Sequence, residues 1–200
     1  DASNNTGSSF NIPYYIVLAE NKDFTIRPRF FSNKKMITQS EYRSINSSSE
    51  LNADISILSE QNSSSKSHIF LETSKKLNLN SFSESDLSLN LQKTSNDTYL
   101  KTYKINSPLI NNPTFLTSSL DFNAYKDDLS LDISAIVYED LNKKNNDKFE
   151  FIYPTFNINK KIANNSMVAG KFDVNSSGFI KHYNTNTFEK ILINDLTFSS

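Results

Sequence analysis

Few side chains in this sequence could carry proton or metal chemistry. His68 and His182 are the only histidines, and neither sits in a motif with a carboxylate, as catalytic clusters require. Each is expected on the surface or in a wet lumen. Asp127-Asp128 reads as a turn, because a calcium loop supplies more oxygen ligands at fixed spacing than two adjacent carboxylates. The absence of cysteine excludes thiolate metal sites and thiol nucleophiles, and a chain with 3 glycines holds no glycine-rich phosphate loop. Lys34-Lys35, Lys143-Lys144 and Lys160-Lys161 read as solvated turn charges, with contact to phosphate groups as the alternative. No enzymatic activity, metal or cofactor is expected. The residues that stand out do so by what they lack: Pro13 and Pro28 lie within two apolar-alternating runs, and proline has no N–H to donate to a β-ladder.

Those runs are the first elements of the chain. Phe10, Ile12, Tyr14, Ile16 and Leu18, then Phe24, Ile26 and Phe30, recur at every second position, the period of a strand with one apolar face. A two-residue loop at Glu20-Asn21 would set Pro13 opposite Pro28, and a shift of one residue would leave them diagonal neighbours. The plainer alternative is that each proline caps a shorter strand. Further strands are expected at Met36 to Ile45, Glu50 to Ser59, His68 to Lys75, Ser83 to Lys93, Phe115 to Tyr125, Leu129 to Val137, Phe149 to Ile158, Lys171 to His182 and Phe188 to Phe198. On the third strand Gln39, Glu41 and Arg43 share a face that must be wet or paired. Apolar parity switches across Pro154, as at a bulge. Thr94 to Pro113 breaks the alternation and reads as a structured crossing segment, and no helix is expected.

About ten alternating strands joined by turns suit a soluble β-sandwich, a small complete outer-membrane barrel, or part of a larger one. Several runs reach the roughly 9 to 11 residues that a tilted membrane strand needs. Ser, Asn, Asp and Thr on alternate positions would then line a lumen, while some of the 15 Phe and 9 Tyr would form interfacial girdles. A net charge of −1 argues against a general nucleic-acid binder. No apolar run is long enough for a membrane-spanning helix. The opening at Asp1 lacks the pattern of a signal peptide, so any such peptide is expected to be removed or to lie elsewhere.

Several segments, in order, resemble the C-terminal barrel of the lipopolysaccharide-assembly protein LptD family, also called organic solvent tolerance protein. Ile12-Pro13-Tyr14-Tyr15, Leu18-Ala19-Glu20-Asn21-Lys22-Asp23 and Thr25-Ile26-Arg27-Pro28-Arg29 are similar to the family's "PYY … LAPNYDLTLTPR" opening, with Glu20 where the family commonly has proline. Glu41-Tyr42-Arg43 is similar to "EFRY", and Ser95 to Tyr103, with Asp97, Tyr99 and Leu100, to "SDDTYLRRY". Leu116-Thr117-Ser118 and Tyr153-Pro154 resemble later landmarks. The resemblance implies an all-β, antiparallel up-and-down transmembrane barrel in the bacterial outer membrane, of which residues 1–200 are an early part. The periplasmic jellyroll and later strands would lie outside it. It further implies transport without catalysis: lipopolysaccharide arrives over a periplasmic bridge, its sugars pass the lumen, and its acyl chains leave into outer-membrane lipid through a seam at the first strand. The lipoprotein LptE would plug the lumen, and Pro13 and Pro28 would weaken the gate.

Overall fold

The structure, a computed structural model, describes residues 2–3, 7–60, 64–164, 170–183 and 187–199. Its strands are β1 (Ala2–Ser3), β2 (Gly7–Asn11), β3 (Tyr14–Ala19), β4 (Lys22–Phe31), β5 (Met36–Asn46), β6 (Ser49–Ser59), β7 (Lys66–Lys76) and β8 (Glu84–Thr94). After a single helical turn, α1 (Tyr99–Thr102), come β9 (Phe115–Lys126), β10 (Leu129–Asp140), a 3-10 turn (Asn145–Lys148), β11 (Phe149–Asn164), β12 (Gly170–Tyr183) and β13 (Thr187–Ser199). From β4 onward each strand pairs antiparallel with its neighbour in sequence, so the chain forms one all-β, up-and-down sheet. Strand positions follow the apolar alternation closely, and from β4 onward strand lengths run from 10 residues in β4 to 16 in β11. Among the described residues no ladder joins β13 back to β1, β2 or β3.

The first strand is not continuous. It breaks at Ile12-Pro13 into β2 and β3, both paired to β4. Ala19 pairs Lys22 across the expected Glu20-Asn21 loop, but a bulge between Val17 and Ala19 then slips the register by one. Tyr14 lies opposite Ile26 and Ile16 opposite Phe24. Pro13 therefore does not face Pro28; the residue level with Pro28 is Ile12, and the prolines are diagonal neighbours. The physical reason is the alternation itself. An unbulged two-residue hairpin would pair the even positions of one strand with the odd positions of the other, leaving the two even-numbered apolar sets on opposite faces. The bulge brings both apolar sets to one face, where Phe10 stacks on Phe30 at 5.2 Å.

The two faces of the sheet differ: one exposes large apolar side chains, and the other buries polar and apolar groups together. Ile55, Ile57, Ile69, Leu87, Leu120 and Ile133 are exposed on one face. On the other, Gln39, Glu41, Asp54, Ser56 and His68 are buried, together with Phe31, Ile37, Leu58 and Phe70. What covers them is the segment from Ser95 to Thr114, whose Tyr99, Leu100, Tyr103 and Ile105 complete the hydrophobic cluster. Each buried Val, Leu, Ile or Phe side chain contributes about 1.5–3 kcal/mol, so this segment anchors the middle of the sheet.

β11 bends at a register shift between Ile152 and Thr155, where Pro154 cannot donate to either neighbour, as the parity switch implies. On β12, Gly178 lies under Phe156 and beside β13. A Cβ there would meet the Ile191 carbonyl at 2.6 Å, so only glycine fits the close approach.

Candidate functional site

Two features combine unusual residues with defined geometry: the proline-broken edge and the polar network beneath the crossing segment. At the edge, the Ile12 N–H donates to the Pro28 carbonyl at 3.2 Å. Because N–H and C=O of one strand residue point the same way, the missing Pro28 donor is the one that would return to Ile12. Neighbouring residues alternate direction, so the missing Pro13 donor points away from β4, toward the free side. Pro28 thus removes one donor from the ladder between the first strand and β4, and Pro13 removes one from the outer edge, which carries no ladder there among the described residues. β1 covers the outer edge of β2 through Ala2 and Ser3, which pair Ser8 and Gly7, whereas the outer edge of β3 has no partner among the described residues. Tyr14 and Tyr15 point to opposite faces of β3 and are 54% and 60% exposed.

Beneath the crossing segment, the buried polar groups pair across strands. Arg27 forks onto Glu41, the second contact at 3.0 Å. The Gln39 amide nitrogen donates to both Asp54 oxygens, at 3.0 and 2.9 Å, and to the Asn106 carbonyl at 2.9 Å. Arg43 meets Asp23 at 2.9 Å. The face carrying Gln39, Glu41 and Arg43 is therefore paired, one of the two options open to it. Ser56 Oγ lies 2.7 Å from His68 Nδ1 and 2.7 Å from the Tyr99 hydroxyl, and His68 Nε2 lies 3.3 Å from Asp54 Oδ1, at an angle too oblique for a well-formed hydrogen bond. His68 is thus neither on the surface nor in a wet lumen; at 2% exposure it is sealed in, stacked on Phe70 at 4.2 Å. Its carboxylate partner is two positions along a neighbouring strand, which no local motif could reveal.

The segment is shaped by its own residues before it docks. The Asn96 side-chain oxygen accepts from the Thr98 N–H and hydroxyl at 3.1 and 2.9 Å, closing a turn that starts α1. The helical turn is absent from the sequence expectation because four residues carry no readable period. Tyr99 and Leu100 are fully buried, and burial pushes the Tyr99 hydroxyl up to about 12. Strand side chains also hold the segment's backbone: Arg29 donates to the Tyr103 carbonyl at 2.7 Å, and Gln92 to the Leu109 carbonyl at 2.8 Å. Asp97 meets Lys148 at 2.7 Å. Burial would lower the Lys148 pKa, but hydrogen bonds to Asp97 and Glu139 outweigh it and raise the group.

The remaining expected features are structural. Asp127-Asp128 is the turn between β9 and β10, and Lys160 holds the Asp128 carboxyl below its usual range through a 2.6 Å contact. Lys35 pairs Glu60 at 2.8 Å, and that hydrogen bond raises its pKa. Lys143 comes only within 4.0 Å of Asp140. His182 stacks on Phe188 at 4.5 Å, far along the sheet from His68. Among the described residues no group of three or more His, Cys, Asp or Glu is placed to hold a metal ion. No protein-family model matches the chain, and comparison with curated proteins finds no match. What fold and site define is a class: an antiparallel up-and-down sheet with an apolar outer face, a polar inner face and a broken edge strand.

Proposed function

We propose that this chain supplies early strands of an outer-membrane barrel of the lipopolysaccharide-assembly type. In this reading the apolar face meets lipid and the polar face lines a lumen along which lipopolysaccharide sugars move. The acyl chains leave into the outer leaflet at the side of β2 and β3. The jellyroll that receives lipopolysaccharide from the periplasmic bridge, the closing strands and a plug of the LptE kind would complete the assembly.

The observation that carries the reading is the proline-broken edge strand at the border of an inside-out sheet. Hydrocarbon does not tolerate unpaired backbone, so β3 and β13 each call for a further strand. At the β3 border the ladder has one donor fewer on each side of its break, which lowers the separation energy by about 0.5–1.5 kcal/mol per bond. The order of the segments similar to the family's barrel, from Pro13-Tyr14-Tyr15 through Asp97, Tyr99 and Leu100, supports the same assignment.

The test is a cysteine pair joining β3 to the last barrel strand in the full-length protein. Residues 1–200 hold no native cysteine, so within them only the introduced residue can crosslink. Oxidation is expected to stop lipopolysaccharide appearing at the cell surface, with reductant restoring it. Undiminished export with the seam locked would overturn the proposal.

A further inference from the structure

The contact of the crossing segment with the sheet ends on a histidine, and hydrogen counting along that contact has a consequence. Three heavy atoms lie in a row, the Tyr99 hydroxyl, Ser56 Oγ and His68 Nδ1, joined by two contacts of 2.7 Å each. All three residues are at least 98% buried, so water does not complete the pattern. Asp54 lies beside His68 Nε2 at 3.3 Å, which favours the tautomer carrying its hydrogen there and leaves Nδ1 as an acceptor. With neutral His68 the row is satisfied: Tyr99 donates to Ser56, and Ser56 donates to Nδ1. Two contacts hold two hydrogens. A protonated imidazole brings a third hydrogen on Nδ1 into the same row, and one hydroxyl hydrogen is then left without an acceptor.

We propose that this row makes the crossing segment a proton-released strap: protonation of His68 loosens the docking of Tyr99 and its helical turn on the polar face. Undocking lets water reach Ser56 and accept the surplus hydrogen, so the undocked form gains relative to the docked one. The Asp54 carboxylate belongs to the sheet and stays beside His68 in both forms without holding the segment.

His68 is faced from β5, β6, β7, β8 and the crossing segment. From β6 come Asp54 and Ser56, and from β7 the neutral Phe70. On β8, Thr94 lies opposite His68 and Gln92 opposite Phe70, both neutral. From β5, Gln39 holds Asp54, and Glu41 is opposite it but is held by Arg27 of β4. From the segment come Tyr99, which burial pushes up to about 12, and Tyr103, with Lys66 over its ring at 6.0 Å. The inference stands on these contacts and does not depend on what the barrel transports.

The test is amide hydrogen exchange of Thr102, Tyr103 and Ile105, whose N–H groups bond to Thr98, Tyr99 and Leu100 within the docked segment. Protection, corrected for the intrinsic rate, is followed from roughly pH 8 to 5, where histidine changes charge. It is expected to fall by about tenfold in the parent protein, the scale of one hydrogen bond. The fall should persist in His182→Gln and vanish in His68→Gln. In His182→Gln the His68 imidazole can be read by ring nitrogen resonances assigned through its own backbone amide, which should show hydrogen on Nε2 at the upper end and change charge together with the loss of protection. This readout decides the matter even where His68→Gln fails to fold. Protection that stays constant while the imidazole titrates, a His68 that stays neutral throughout, or a fall that survives in folded His68→Gln overturns the proposal.

Discussion

Replacing Pro28 with valine should tighten the first strand, whereas the same change at Pro13 should leave the pairing with β4 unchanged. The difference follows from strand geometry. The Pro28 carbonyl already accepts from Ile12 at 3.2 Å, so a valine N–H at position 28 points back at the Ile12 carbonyl and completes the pair. At position 13 a new N–H points to the free side. One added bond is worth about 0.5–1.5 kcal/mol net, which slows local detachment of β2 and β3 by about two- to twelvefold. Release of β2 and β3 leaves β4 paired with β5, so the chain entropy that proline removes does not enter for position 28, whereas at position 13, inside the released segment, its loss can only speed detachment. Valine suits the site, because position 28 shares its face with Phe24, Ile26 and Phe30, and a β-branched residue fits a strand. The assay is native-state hydrogen exchange at the Ile12 amide. Slowing in Pro28→Val within that range, with no slowing in Pro13→Val, is expected. Equal slowing in both, or slowing in Pro13→Val alone, would refute the register and the assignment of one missing donor to each side.

Other expectations follow from the polar face and the sheet. Tyr99→Phe removes the hydroxyl from Ser56 and should weaken docking by about 0.5–1.5 kcal/mol, read as faster tryptic cleavage at the exposed Lys101 and Lys104. Because burial raises the Tyr99 pKa from 10.0 to about 12, its contribution is intact below pH 10 and is lost as pH rises through 12. Tyrosinate absorbance, compared with Tyr99→Phe, should therefore show one late-titrating tyrosine. Arg27→Ala leaves Glu41 unpaired at 6% exposure and should destabilise the sheet by about 1–3 kcal/mol, while the double change Arg27→Met with Glu41→Leu should recover most of that in denaturant titrations. Gly178→Ala drives a methyl against the Ile191 carbonyl and should cost about 1–3 kcal/mol, with increased exchange along β12 and β13.

Alternation of side chains was enough to locate nearly every strand, because each strand presents one apolar and one polar face and the period of two survives any detail of packing. It also marked Pro154, where β11 bends, and the crossing segment, where the period stops. Pro13 and Pro28 fall where the fold has its broken edge, and Tyr99 and Leu100 where it has its deepest anchor. Register was another matter. The bulge at Val17–Ala19 moved Pro13 off the level of Pro28, and local sequence carries no mark of it beyond the need for both apolar sets to share a face. The loop between β6 and β7 hides a second register, the one that sets Ser56 against His68 with Asp54 two places along. Sequence by itself determined an all-β meander with one polar and one apolar face. Only the tertiary structure decided that Tyr99 seals a histidine between an aspartate and a serine, since residues far apart in the chain meet through the accumulated register of whole strands, which local spacing does not encode.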